Sequence, residues 1–344
     1  SFRNKELTYW RYMLTDIYDI LKKHFGYDEF RNGQAEIINA ILSGRDALGV
    51  MPTGAGKSLC YQVPAMMLPG ITLVISPLIS LMRDQVQALV ANGFPAAFIN
   101  SSLTESQWRS AMTNARKGQY KIIYIAPERL FVSSMLELAQ KLQVSMIAVD
   151  EAHCISQWGQ DFRPSYLDIL KFLNELPVRP AVAAFTATAT PRVREDILST
   201  LKLKNPISIV TGFDRPNLYF EVRQPKDKYS SLLQYLEESE GNGIVYCSTR
   251  KEVERVTERL IEDGYSASRY HAGLSDNERN QSQDDFLYDR VRIIVTTNAF
   301  GMGIDKSDVR FVILYNMPQN VESYYLEAGR AARDLLPSDC ILLY

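Results

Sequence analysis

A chain of 344 residues is long enough for two domains of ordinary size. Its 38 basic and 40 acidic residues leave a net charge of −2, which excludes a global positive field, so any contact with nucleic acid must come from a local basic groove. No apolar run reaches the ~20 residues of a membrane helix, the N-terminal SFRNKELTYW has no secretory pattern, and the scattered Cys60, Cys154, Cys247 and Cys340 argue against a zinc ribbon or disulfide framework and for a reducing compartment.

In chain order, residues 1–25 are predicted helical, with Leu14, Ile17, Tyr18, Leu21 and Phe25 on one face and Gly26 as the stop. A second helix is predicted from Phe30 to Leu42, ended by Ser43-Gly44. The apolar run Ala47–Val50 reads as a buried strand; the turn Met51–Ser58 follows, with a helix starting at Lys57. Strands at Ile71–Ser76, Lys121–Ala126, Met146–Asp150 and Ala181–Thr186 then alternate with helical stretches. A second series lies at Gly243–Cys247, Ala267–Tyr270, Arg292–Thr296, Phe311–Tyr315 and Ile341–Tyr344. This alternation predicts α/β domains built on parallel sheets with helices on both faces. Gly212–Asn217 reads as the linker, giving domains 1–208 and 209–344.

Two stretches carry phosphate chemistry. Met51–Ser58 (MPTGAGKS) is a glycine-bearing turn between a strand and a helix, a geometry whose backbone N–H groups and helix N-terminus face an anion. Lys57 would reach the β and γ phosphates and the Ser58 hydroxyl would bind Mg²⁺. Met51 stands where the usual pattern has Gly, so an ordinary turn is the alternative when the stretch is read alone. Asp150-Glu151-Ala152-His153 closes an apolar strand, where an open α/β sheet places its site. Asp150 can hold Mg²⁺, and Glu151 can orient and deprotonate an attacking water. His153 and Cys154 are adjacent and lack a second pair, which makes a metal site there improbable.

Further motifs follow in order: Ile75–Gln85, Ile125–Leu130, the aromatic stretch Ser156–Tyr166, Phe185–Thr190, Ile244–Arg250, Tyr270–Leu274, Val295–Lys306 and Glu327–Asp334. With Leu21…Phe25-Gly26…Phe30-Arg31…Gln34 upstream, the series resembles the catalytic core of a RecQ-family DNA helicase within superfamily 2, from about residue 14 to the last residue. The resemblance implies two tandem RecA-like (P-loop) domains, each a mainly parallel sheet flanked by helices, with the nucleotide cleft between them. It implies an ATP-dependent enzyme that uses Mg²⁺ and moves 3′→5′ along single-stranded DNA in recombination and repair. Catalysis falls to Lys57, Asp150, Glu151, Arg330 and Arg333. Arg31, Gln34, Thr53, Gly54, Ala55, Gly56, Lys57, Ser58, Gly303 and Asp305 would hold ATP, and Ser58 and Asp150 the metal. Gln34 suits adenine because an amide both donates and accepts.

Arg83, Arg129, Trp158, Phe162, Arg163, Ser248 and Thr297 would touch DNA, although Arg83 and Arg129 also fit as solvated helix residues. In Ser156–Tyr166, aromatics interleaved with Arg can stack on bases and pin a phosphate, at ~1–3 kcal/mol per stacked base. The hydroxyls of Phe185–Thr190 are expected to bond the Asp150–His153 loop. Single-stranded DNA and its duplex junctions are the expected partners, along with single-stranded-DNA-binding and recombination proteins. No membrane and no zinc are expected, and the location would be the bacterial cytoplasm at the nucleoid or a eukaryotic nucleus.

The sequence departs from the family at Gln160, where His is usual, and most around the arginine pair. Leu326 replaces Gln, Ala332 replaces Gly and Leu335 replaces Gly. With Arg330 and Arg333 on one helical face, Ala332 is expected to firm the helix by roughly 0.5–1 kcal/mol. Leu335 is expected to cost about 1–2 kcal/mol if that position is a left-handed cap. These changes keep open a second reading, a nucleotide-gated DNA-binding module that hydrolyses poorly. A third, an RNA helicase of the DEAH-box group, fits the acidic box but not the aromatic stretch.

Overall fold

The computed structural model describes residues 16–77, 79–100, 103–159, 161–212, 214–298 and 306–344. The chain forms two compact units, 1–212 and 213–344.

The first unit is built on a seven-stranded sheet whose neighbours all pair in parallel. Its strands are β1 (Ala47–Val50), β2 (Ile71–Ile75), β3 (Ala96–Ile99), β4 (Ile122–Ile125), β5 (Val144–Val149), β6 (Ala181–Thr186) and β7 (Ile207–Val210), in spatial order β3-β4-β2-β5-β6-β1-β7. β1, β2 and β4 are buried throughout, as strands covered on both faces must be. One core packs Leu48, Ile75, Ile147 and Phe172 on one face, and another packs Tyr61, Val74, Tyr124 and Phe185 on the other.

This order positions the site. β6 lies between β1, which feeds Met51–Ser58, and β5, which feeds Asp150-Glu151. At ~4.8 Å between neighbouring strands the two C-terminal ends are about 10 Å apart. Thr186, the last residue of β6, pairs with Val50 and so stands between them.

The second unit carries β8 (Leu218–Arg223), β9 (Asn242–Tyr246), β10 (Ala267–Tyr270), β11 (Ile293–Thr296), β12 (Val309–Leu314) and β13 (Ser338–Leu343). They form a six-stranded parallel sheet in the order β10-β11-β9-β12-β13-β8.

Several expectations change. β3, β7 and β8 were not predicted: β7 alternates half-buried and exposed positions and has no apolar run to mark it. Because β7 pairs with β1, residues 209–212 belong to the first unit, not the second. The helix predicted from Phe30 begins at Gln34. In the N-terminal segment, Ile17–Ile20 is α-helical and Leu21–Phe25 is a π-helical turn, while Leu14 lies outside the described residues.

The largest correction concerns the arginines. The helix Val321–Ala328 stops before Arg330, so Arg330 and Arg333 lie in the turns after it and share no helical face. Ala332 and Leu335 both adopt left-handed backbone, with φ of 51° and 69°. Ala332 therefore strains a turn instead of firming a helix. Leu335 is left-handed as expected, but in a turn and not at a helix cap; the residue is 57% exposed and gains little from packing. Leu335→Gly should stabilise the chain by about 1 kcal/mol, read as a rise in the denaturation midpoint at unchanged slope.

Candidate active site

The turn after β1 is a glycine-shaped loop, with Gly54 and Gly56 at φ 82° and 78°. The φ of Gly56 strains any side chain, and a Cβ there would lie 2.5 Å from Gln34 Nε2 and displace that amide. Two residues from before β1 hold the loop. The Arg31 guanidinium donates to the Gly54 carbonyl. Gln34 is 1% exposed; its Nε2 donates to the carbonyls of Ala55 at 2.9 Å and Gly56 at 3.0 Å, and its Oε1 accepts from Arg31 N at 2.8 Å. The amide expected to face adenine is thus engaged with the loop. Thr53, Ala55 and Ser58 are half-buried in the loop, and Lys57 Nζ reaches back across it to Met51 O at 3.1 Å.

Asp150 and Glu151 end β5. Asp150 is 7% exposed, and burial, then the charge of Glu151, pushes its carboxyl up to about 7, while Lys57 pulls it down. A carboxylate so enclosed beside a second one favours a neighbouring cation, so this donor set fits Mg²⁺. Glu151 is held in the left-handed region at φ 47°, a conformation costly for a side chain of its size, with its N–H donating to Asp150 Oδ1 at 3.0 Å.

His153 lies 2.9 Å through Nδ1 from Thr186 Oγ1 and 3.4 Å from Glu151 Oε2. Thr186 gives its own proton to Thr188 O at 2.9 Å. The arrangement is satisfied when Nδ1 carries the hydrogen and Thr186 accepts it. Burial lowers the pKa of His153, which favours the neutral ring. The expected bond between the Phe185–Thr190 hydroxyls and the acidic loop is therefore present.

The aromatic stretch is fastened to this acidic turn. Arg163 N donates to Cys154 O at 2.9 Å and the Tyr166 hydroxyl to Asp150 O at 2.9 Å. A Cβ on Gly159 would lie 2.2 Å from His153 O, so the loop passes too close for any side chain. Trp158 is 62% exposed, and the Arg192 guanidinium lies 3.6 Å from its ring centroid. Ser156 Oγ donates to Asp196 Oδ2 at 2.5 Å and accepts from Trp158 N at 3.1 Å. Phe162 is half-buried.

Arg163 makes a forked pair with Asp161 at 2.9 and 2.8 Å. Gln160 lies outside the described residues. Arg129 stacks on Trp108 at 5.6 Å, and Arg83 lies 3.9 Å from Asp84 with 43% of its side chain exposed. Sequence reasoning missed Arg192 and Asp196, on the helix Pro191–Thr200. The signal was available, since that helix follows Phe185–Thr190 directly.

In the second unit Ser248 is exposed, with its N–H donating to Asn316 Oδ1 at 2.9 Å. Thr297 N donates to Tyr270 O at 3.4 Å. Gly303 and Asp305 lie outside the described residues. Burial raises the Glu327 carboxyl to about 7, against the pull of Arg330. Because the folded value exceeds the ordinary 4.5, the contribution to stability is full below about pH 4.5 and is lost as pH rises through about 7. Glu327→Gln should therefore stabilise the chain by about 1–2 kcal/mol at pH 8 and leave it unchanged at pH 4. Denaturant titrations at the two pH values check this.

Comparison with known proteins matches the DEAD/DEAH box helicase family at residues 31–197 and the helicase conserved C-terminal domain at residues 227–334. The chain is 47% identical over 334 residues to an ATP-dependent DNA helicase RecQ of Bacillus subtilis, covering 96% of this chain and 56% of that protein. It is 48% identical over 326 residues to the protein of that name from Haemophilus influenzae, covering 94% and 52%. The chain thus spans about half the length of the curated relatives it matches.

Among solved structures, S. cerevisiae Dbp5 bound to RNA and ADP BeF3 superposes with a TM-score of 0.77 at 19% identity, covering 98% of this chain and 89% of that one. Mycobacterium smegmatis helicase Lhr bound to ssDNA and AMP-PNP gives 0.78 at 21%, covering 96% and 47%. These two establish the fold alone, tandem RecA-like domains. The 47–48% identities carry the relationship further: the chain belongs to the RecQ helicase family and spans its two-domain core.

Proposed function

We propose that this chain is an ATP-driven DNA translocase and helicase core. The observation that carries the reading is the fastening of an exposed aromatic loop to the acidic turn, through Arg163 N, Gly159 and the Tyr166 hydroxyl. A base stacking on Trp158 would pull on the backbone that holds Asp150 and Glu151. That is the physical link needed for DNA to switch hydrolysis on.

In this reading the loop N–H groups and Lys57 hold the β and γ phosphates. Ser58 and Asp150 would hold Mg²⁺, which would supply charge neutralisation for the polyphosphate. The buried Asp150 keeps that charge out of water. Glu151 accepts the proton of the attacking water, and the His153–Thr186 contact fixes its orientation. Arg330 and Arg333 stabilise the charge that develops on the γ phosphate. Arg83, Arg129, Ser248 and Thr297 contact the DNA backbone. Movement is 3′→5′, the setting is DNA recombination and repair in the nucleoid or the nucleus, and single-stranded-DNA-binding and recombination proteins are the partners. The ATP-gated binding module with poor hydrolysis is the second reading; the left-handed Ala332 and Leu335 beside the arginines favour it.

The DNA contact is tested by fluorescence anisotropy on a labelled oligonucleotide across a salt series. The log of the binding constant should fall with log salt, at a slope of about −0.7 per neutralised phosphate. A flat response would exclude a groove built on phosphates.

A further inference from the structure

Three hydrogen-bond donors converge on one backbone oxygen in the second unit. The Ala332 carbonyl accepts from Arg215 Nη2 at 2.8 Å, Leu335 N at 3.1 Å and Asn217 Nδ2 at 3.3 Å. The same two side chains reach its neighbours: Arg215 Nη2 donates to Ala331 O at 3.0 Å and Asn217 Nδ2 to Leu336 O at 3.2 Å. Arg215 Nε donates to Asn217 Oδ1 at 3.4 Å, which fixes which way that amide faces.

The residue so held is itself strained. Ala332 is fully buried and left-handed, with φ 51°, and its own N–H donates to Val309 O at 2.9 Å. A residue with a Cβ keeps that conformation only where its surroundings over-determine it. Its position between Arg330 and Arg333 gives the strain a consequence. With no helix to set their spacing, the turn at Ala332 decides how the chain leaves the first arginine and enters the second.

We infer that Arg215 and Asn217 are positioning residues for the arginine turn, acting through the Ala332 peptide. They tie Arg330 and Arg333 to residues 214–217, at the start of the second unit. The link gives ATP hydrolysis a mechanical input: a change in that segment reaches the arginines through two side chains and one carbonyl. The inference rests on the proposed role of Arg330 and Arg333 in hydrolysis.

The test is DNA-stimulated ATP turnover by Arg215→Gln and Asn217→Ala, with Arg330→Ala as reference and folding followed by circular dichroism. Arg215→Gln should lower kcat by about tenfold to a hundredfold, as expected for a catalytic group displaced by an ångström, with KM for ATP within about threefold. Adding Ala332→Gly should then recover kcat by about threefold or more, because glycine takes the left-handed conformation without being held there. If Arg215→Gln does not fold, Asn217→Ala, which removes only the longer bonds, should still lower kcat by about threefold.

An unchanged kcat in whichever of the two variants folds, or no recovery by Ala332→Gly in a folded Arg215→Gln chain, overturns the inference. If Arg330→Ala itself leaves turnover unchanged, the failure lies with the role given to the arginines. If Arg330→Ala is impaired and Arg215→Gln is not, it lies with the positioning alone.

Discussion

Glu151→Gln should bind ATP with nearly unchanged affinity and hydrolyse it about 10²–10⁴-fold more slowly, the usual contribution of a positioned general base. The substitution keeps the side chain's size and its ability to accept a hydrogen bond, and removes only its capacity to take a proton. The left-handed backbone at Glu151 and the bond from its N–H to Asp150 Oδ1 are backbone properties that Gln can retain. The lost carboxylate also relieves Asp150, whose carboxyl is raised partly by the Glu151 charge. Metal binding should therefore be no weaker, and the defect should appear in kcat. Single-turnover hydrolysis and nucleotide titration on the same preparation separate the two, and an undiminished kcat would remove Glu151 from the chemistry.

Arg330→Ala and Arg333→Ala should each lower DNA-stimulated turnover by about 10³-fold or more if they stabilise the transition state, the range seen for arginine fingers in phosphoryl transfer. An exposed arginine that made only surface ion pairs would cost at most about 1 kcal/mol of stability and no rate. Neither arginine has that environment: Nε is buried in both, and Arg330 acts on Glu327 and Tyr246. Removing Arg330 should also raise the Glu327 pKa further, since the arginine holds it down. A loss confined to stability, with normal kcat per folded molecule, would assign the pair to structure.

Much of the site was legible because its parts are contiguous. Met51–Ser58 and Asp150–His153 each follow an apolar strand, so strand, turn and chemistry are read from one stretch. The bond that Thr186 accepts from His153 was also foreseeable, because β6 carries the threonine hydroxyl to a strand end. What escaped the sequence depends on pairing between distant segments. β7 is recognisable only through its register with β1, and that moves the boundary from 208 to 212. The bonds from Gln34 to the carbonyls of Ala55 and Gly56 likewise join distant positions, 21 and 22 residues apart.

The arginine pair shows the same limit from the other side. Spacing alone put both residues on one helix face, but the helix ends at Ala328, and the left-handed Ala332 that follows is held by residues more than a hundred positions upstream. No local pattern reports such a clamp.

The most direct measurement is steady-state ATP turnover by this chain with and without single-stranded DNA, at fixed Mg²⁺ and low salt. The proposed coupling of the aromatic loop to the Asp150-Glu151 turn predicts a marked rise in kcat when DNA is added, and that rise should be lost in Trp158→Ala. Equal turnover with and without DNA would contradict the coupling, and negligible turnover in both would favour the nucleotide-gated binding module.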